Sequence, residues 1–144
     1  MAKIIEENFE GKAYLRAYHI EGSQDLIAME FHSAVYPDIR HFEFEETRDL
    51  ISTIIEYIVN SDSNSLLFIE TLQVDDEYQG QGVGTEIVTG LLEETSAEMV
   101  MLIASPIGES RNDIEEIVEF YEQFGLEKIL NLRDDVGFLM VAEQ

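Results

Sequence analysis

Three glycines at alternate positions, Gly80, Gly82 and Gly84, stand between an apolar run of strand length, residues 66–74, and a run with helical spacing, residues 85–97. This segment restricts the fold more than any other. A strand that passes into a helix through such a turn leaves the amides of the helix N-terminus uncovered by side chains. The result is a cradle for an anion. It matches neither common nucleotide loop: no Gly-Lys-Ser/Thr follows the glycines, and no acidic residue closes a following strand at the dinucleotide distance.

The rest of the C-terminal half alternates strand and helix. Residues 99–104 form a short apolar run closed by Ser105-Pro106, which reads as a strand. Residues 113–124 carry Ile114, Ile117, Val118 and Tyr121 on one helical face, with Gly125 as the stop. Residues 126–132 and 137–142 read as two further strands around Arg133-Asp134-Asp135.

Val74, Gln79, Gly82 and Gly84 fit the pattern Val-x-x-x-x-Gln/Arg-x-x-Gly-x-Gly/Ala, and Tyr121 to Leu126 are similar to Tyr-x-x-x-Gly-Phe. In these two motifs, their order and their separation, the chain resembles the GNAT acetyltransferase superfamily over about half its length. The resemblance implies an α/β (α+β) fold, a central mixed sheet with helices on both faces, and acetyl-CoA (CoA) as cofactor for acyl transfer to a primary amine. It also implies that the cofactor is held by Leu72, Val74, Gln79, Gly80, Gln81, Gly82, Val83, Gly84 and Thr85. Arg111 is the nearest basic candidate in sequence order, since no Lys or Arg lies between Arg48 and Arg111. By the same resemblance, backbone N–H groups of the strand ending in Val74 polarise the thioester carbonyl, and Tyr121 is the acid that protonates the departing sulfur.

Tyr121 has a second reading as a core aromatic, because it shares a stripe with Val118 and Ile114. Glu70 is the base candidate on its own surroundings: a period of two puts it on one face with Leu72 and Val74, between Ile69 and Leu72, where a carboxylate is partly desolvated. A solvated strand carboxylate is the alternative. The family often has an asparagine seven residues before the tyrosine; that position is Ile114 here, and Asn112 is displaced from it by two.

A length of 144 residues with 45% hydrophobic content suits one domain, residues 1–144. The net charge of −23 repels nucleic-acid phosphate, so direct DNA or RNA binding is not expected. It favours a cationic acceptor, such as a polyamine, an aminoglycoside-like amine, or a lysine or N-terminus of a basic protein, although acidity also serves solubility alone. The alternative from another class is an acidic interaction protein that binds or inhibits a basic, nucleic-acid-handling partner. The C-terminal half also looks somewhat like small phage-encoded GNAT proteins that modify host defence enzymes. With no cysteine, no signal-peptide pattern and no apolar run of membrane-spanning length, the expectation is a cytoplasmic protein without membrane contact. A homodimer is left open. No metal is expected, since His19 and His32, facing each other across a first hairpin, lack further ligands.

That hairpin belongs to an N-terminal half that departs from the family, whose members usually begin with a strand, two helices and then three strands. Residues 12–20 and 26–33 read as strands joined by a turn at 21–24, and residues 41–45 alternate with Phe42 and Phe44 on one face. One helix follows over 47–60, with Thr47 as N-cap and Leu50, Ile51, Ile54, Ile55 and Ile58 as its stripe. The N-terminal helical region is thus expected to be reduced or atypical, with the acceptor side open or completed by another subunit.

Overall fold

The computed structural model describes residues 1–42, 50–106, 113–132 and 137–144. Six strands form one mixed sheet: β1 (Lys3–Asn8), β2 (Ala13–Glu21), β3 (Ser65–Val74), β4 (Met99–Ala104), β5 (Glu127–Asn131) and β6 (Phe138–Glu143). Their order across the sheet is β1-β2-β3-β4-β6-β5. β3 and β4 are parallel, and the other neighbours are antiparallel. The parallel step needs a crossover, which α4 (Val83–Glu94) supplies after the glycine turn.

Alternation along β2, β4 and β3 up to Ile69 sorts their side chains onto two cores. Leu15 and Ala17 of β2, Leu67 and Ile69 of β3, and Val100 and Leu102 of β4 pack with Ile87, Val88 and Leu91 of α4 and with Val118 and Tyr121 of α5 (Ile114–Glu122). Tyr18, Ile20, Leu66, Phe68, Met99 and Met101 face the other way, toward α1 (Gln24–Glu30) and α3 (Leu50–Asn60). Strands buried on both faces read as near-continuous apolar runs, which is how residues 66–69 and 99–104 stand in the sequence. The sheet is covered by helices on both faces, as expected.

The N-terminal half corrects the sequence reading. Residues 26–33 are helical, not a strand: Ser23 Oγ accepts from Leu26 N–H at 3.3 Å as an N-cap, α1 runs from Gln24 to Glu30, and a wider π turn, Phe31–Val35, leads into α2 (Tyr36–Ile39). Ile27, Ala28, Phe31 and Val35 recur at the helical period and are all buried, which decides between the two periods for a short apolar run. His41 and Phe42 lie in a 3₁₀ turn rather than a strand, and the rest of 41–45 falls outside the described residues together with Thr47. The helical wall is therefore present within the chain, placed between β2 and β3. His32 sits on the π turn beside Tyr36, with ring centroids 5.8 Å apart, so it does not face His19 across a hairpin. β1, not expected from the sequence, is a mostly exposed edge strand, half of it charged, with its two isoleucines adjacent, and so carries no apolar alternation.

Phe31 is the joint of this wall: it is fully buried, and its ring meets Phe68 of β3 edge-on at 5.3 Å. Phe31→Ala is expected to lower the unfolding free energy by about 3–5 kcal/mol in urea titration. A loss of less than about 1 kcal/mol would mean that this helical layer is not packed on the sheet.

Candidate active site

The site begins where β3 leaves β4. The two strands pair only from Leu66 to Ile69 against Met99 to Leu102, while β3 runs on to Val74 and β4 to Ala104. At the same point β3 carries a bulge: Ala17 pairs with Ile69 and the next residue back, Arg16, pairs with Thr71, so Glu70 is the extra residue. The bulge inverts the alternation. Leu67 and Ile69 face the α4–α5 core before it, and Leu72 and Val74 face that same core after it. Glu70 consequently does not share a face with Leu72 and Val74, as a simple period of two had implied; it lies with Phe68 on the other side, beside Arg16. Between the diverging strands opens a cleft of about 850 Å³, within the size range of ligand pockets.

One end of this cleft is the glycine turn. Asp75 Oδ1 accepts from Glu77 N–H at 3.2 Å and starts a 3₁₀ turn, Asp76–Tyr78. The Gln79 side chain donates to Val74 O at 3.0 Å and to Asp76 Oδ1 at 3.1 Å, and the Gln81 side chain donates to Glu77 O at 2.8 Å. Both glutamine side chains thus brace the loop. Gly82 is the N-cap of α4 with φ +83°, and a Cβ there would meet no protein atom within 4 Å. Its side faces open cleft, and the left-handed backbone costs an L-residue roughly 1–2 kcal/mol. The first bond of the helical ladder runs from Glu86 N–H to Gly82 O at 3.0 Å, so the amides of Val83, Gly84 and Thr85 precede the ladder at the positive end of the helix. Gly84 has a different reason: a Cβ would come 3.3 Å from Phe120 and 3.6 Å from Val74, so its smallness sets how closely α4 approaches them.

Tyr121 lines the cleft from α5, only 8% exposed. Both readings of this residue meet here, since it packs in the α4–α5 core and also reaches the cleft. Burial alone pushes its phenol well above the ordinary tyrosine range, so it stays protonated throughout the neutral range. The helix that carries it is started by Asp113, whose Oδ1 accepts from Glu116 N–H at 2.9 Å, and the turn that follows its last residue, Glu122, closes at Gly125, φ +91°.

The other end is polar. Arg16 Nε donates to Glu70 Oε2 at 2.9 Å and Arg16 Nη1 to Glu6 Oε2 at 3.2 Å. Arg16 Nη2 lies 3.3 Å from the Tyr18 hydroxyl, which itself donates to Asp38 Oδ2. Burial and the bond to Asp38 push the Tyr18 phenol up to about 12. Asp38 and Glu70 both line the cleft, next to His41 and Phe42. Arg16, Tyr18 and Asp38 were not foreseen. A period of two along β2 puts Arg16 and Tyr18 on one face, which was a usable signal; Asp38 follows the misread helix and had none.

Arg111 and Asn112 fall outside the described residues. The sheet brings a different cation to the glycine turn: Lys12 O accepts from Asp75 N–H at 2.8 Å, and Lys12 Nζ stands 5.5 Å from the Tyr78 ring centroid. Lys12 is 63 positions before Asp75, so sequence order could not show it.

A profile of the acetyltransferase (GNAT) family matches residues 6–126. No curated protein sequence matches the chain. Among solved structures, an agmatine N-acetyltransferase mutant in its apo form superposes with a TM-score of 0.56 at 14% identity, covering 95% of this chain and 74% of that one. The Drosophila melanogaster polyamine N-acetyltransferase gives 0.55 at 13% identity over 92% and 69% of the two chains. Arabidopsis thaliana Naa50, in complex with a bisubstrate analogue, gives 0.42 at 21% identity over 56% of each chain, so this chain spans little more than half that relative's length. At these identities the superpositions speak to the fold, which the 0.56 and 0.55 alignments share over nearly the whole chain. The profile covers most of the residues, including the bulged strand, the glycine turn and the tyrosine helix, and the chain belongs to the acetyltransferase (GNAT) family.

Proposed function

We propose that the protein is an N-acetyltransferase that uses acetyl-CoA to acetylate a cationic amine. The observation that carries the reading is the continuous cleft, which runs from an uncovered helix N-terminus past a buried, protonated tyrosine to two carboxylates. When bound, acetyl-CoA supplies an activated acyl group as a thioester. The residues present fit it: the amides of Val83, Gly84 and Thr85 and the open side of Gly82 suit its pyrophosphate, and the unpaired edge of β3 at Leu72 and Val74 suits an extended arm. Gln79 and Gln81 support this by fixing the turn, and Arg111 remains a basic candidate for its phosphates.

Each remaining demand of the reaction falls on a named group. Amide N–H groups of β3 polarise the acyl carbonyl, as donors aimed at a developing oxyanion do in acyl transfer. Tyr121 holds its proton at neutral pH and delivers it to the leaving sulfur. Glu70 receives the proton lost by the amine; its Oε2 is occupied by Arg16, which leaves Oε1 for that role. The cleft is lined by Asp38, Glu70, Asp75, Asp76 and Glu116, with no Lys or Arg among the described lining residues. Such a field concentrates cations, which supports a positively charged acceptor. The agmatine and polyamine acetyltransferases of similar fold are named for amines of this kind.

Release of free thiol from acetyl-CoA, stimulated by amines and absent without them, tests the activity itself. Two variants test the assignments. Gly82→Val puts a branched Cβ where no protein atom stands in its way, so it strains the turn and crowds the cradle while the fold persists. Calorimetry is expected to show CoA affinity reduced at least about 10-fold, and unchanged affinity would refute the cradle. Tyr121→Phe removes a buried hydroxyl and nothing else. Turnover is expected to fall about 100-fold with CoA affinity and thermal stability preserved. Turnover within a few-fold of wild type would leave Tyr121 only its packing role.

A further inference from the structure

The two carboxylates at the acceptor end look equivalent by position but differ in charge balance. Glu70 faces a guanidinium at 2.9 Å, so its charge is offset locally. The other Arg16 hydrogen bonds go from Nη1 to Glu6, at 3.2 Å, and from Nη2 to the Tyr18 hydroxyl, at 3.3 Å. None reaches Asp38. The partner of Asp38 is the Tyr18 hydroxyl, a neutral group carried on a side chain only 2% exposed. A phenol held up to about 12 stays a neutral donor across the working pH range, so it orients the Asp38 carboxylate without discharging it. Among the described residues, no ion pair includes Asp38.

Position gives this uncompensated charge a use. Asp38 comes from α2, on the face of the sheet opposite to α4 and α5, whereas the glycine turn and Tyr121 belong to the α4–α5 side. The cleft joins the two. A reacting nitrogen must lie at the middle, near the bulge, as a neutral amine; a negative group beyond it then has nothing to recognise unless the acceptor carries another positive charge. We propose that Asp38 is the specificity-determining carboxylate of the cleft, selecting acceptors that bear a second cationic centre several bonds from the reacting nitrogen, as in a terminal alkyl diamine. Tyr18 is its positioning residue. The phenyl ring of Phe42 and the imidazole of His41, centroids 4.2 Å apart and planes inclined by 39°, line the same cleft and offer a wall for the alkyl chain between the two nitrogens.

This inference rests on the acetyltransferase reading, but its test needs no turnover. Dissociation constants of 1,4-diaminobutane and of butylamine, two probes differing by one ammonium group, are measured by calorimetry at low ionic strength for the wild type, Asp38→Asn and Tyr18→Phe. The wild type is expected to prefer the diamine by about 3- to 5-fold, the upper range of what an exposed charge pair supports. Asp38→Asn keeps an acceptor for the Tyr18 hydroxyl, so the fold is retained, and the ratio of the two constants is expected to fall to near one. Tyr18→Phe is expected to give an intermediate ratio with unchanged circular dichroism, as the carboxylate stays but loses its fixed direction. An undiminished ratio in Asp38→Asn, or no diamine preference in the wild type, overturns the proposal. A diamine preference that depends on Asp38 in a protein that transfers no acetyl group would instead overturn the acetyltransferase reading and uphold the role of Asp38.

Discussion

The structure depends on β3 losing its neighbour halfway along. Up to Ile69 the strand is paired with β2 on one side and β4 on the other; beyond it, among the described residues, only β2 pairs with it. Backbone polar groups removed from water need partners, so an internal strand edge of this kind is stable only where solvent or a ligand reaches it. The bulge at Glu70 marks that point and inverts the strand. It keeps Leu72 and Val74 on the α4–α5 core that supports the glycine turn, and it turns Glu70 to the opposite face, toward Arg16. A single extra residue thereby separates the half of the cleft that holds the glycine turn and Tyr121 from the half that holds Glu70 and Asp38.

The charge distribution follows the same division. An anionic cofactor must enter a protein of net charge −23, and the turn that meets it is preceded by Asp75, Asp76 and Glu77. Attraction at that end comes from the amides of α4, whose effect is confined to the first turn, with Lys12 held beside Tyr78 by the pairing of β2 with β3. At the far end the same negative field is useful. There Arg16 pairs with Glu6 and Glu70, while among the described residues no ion pair includes Asp38.

What the sequence revealed was decided by how local each signal is. The glycine turn, the strand 99–104, the helix read over 113–124 and the Gly125 stop are written within a few residues of one another, and they appear where the sequence implied, the helix as Ile114–Glu122. Tyr121 was legible from its helical spacing and its distance from Gly125. Residues 26–33 were misread because eight residues of apolar and polar types fit two periods, and tertiary packing of Phe31 and Val35 chose the helical one. The facing of Glu70 was misread because a bulge breaks the period that the reading assumed. Arg16 shares a face with Tyr18 by the period of β2, but its pairing with Glu70, 54 positions away, was invisible, as were Asp38 and Lys12, whose neighbours are 20 and 63 positions away and are brought to them by the sheet and the helical wall over it.

The account stands on the unpaired half of β3 being the place where the cofactor lies. Amide hydrogen exchange, followed residue by residue with and without CoA, examines that directly. The account predicts slowed exchange on CoA addition at residues 72–74 and 82–85, with residues 66–69, already paired on both sides, unchanged. Protection by CoA that left 72–74 and 82–85 unaffected, or that spread evenly over the chain, would contradict it.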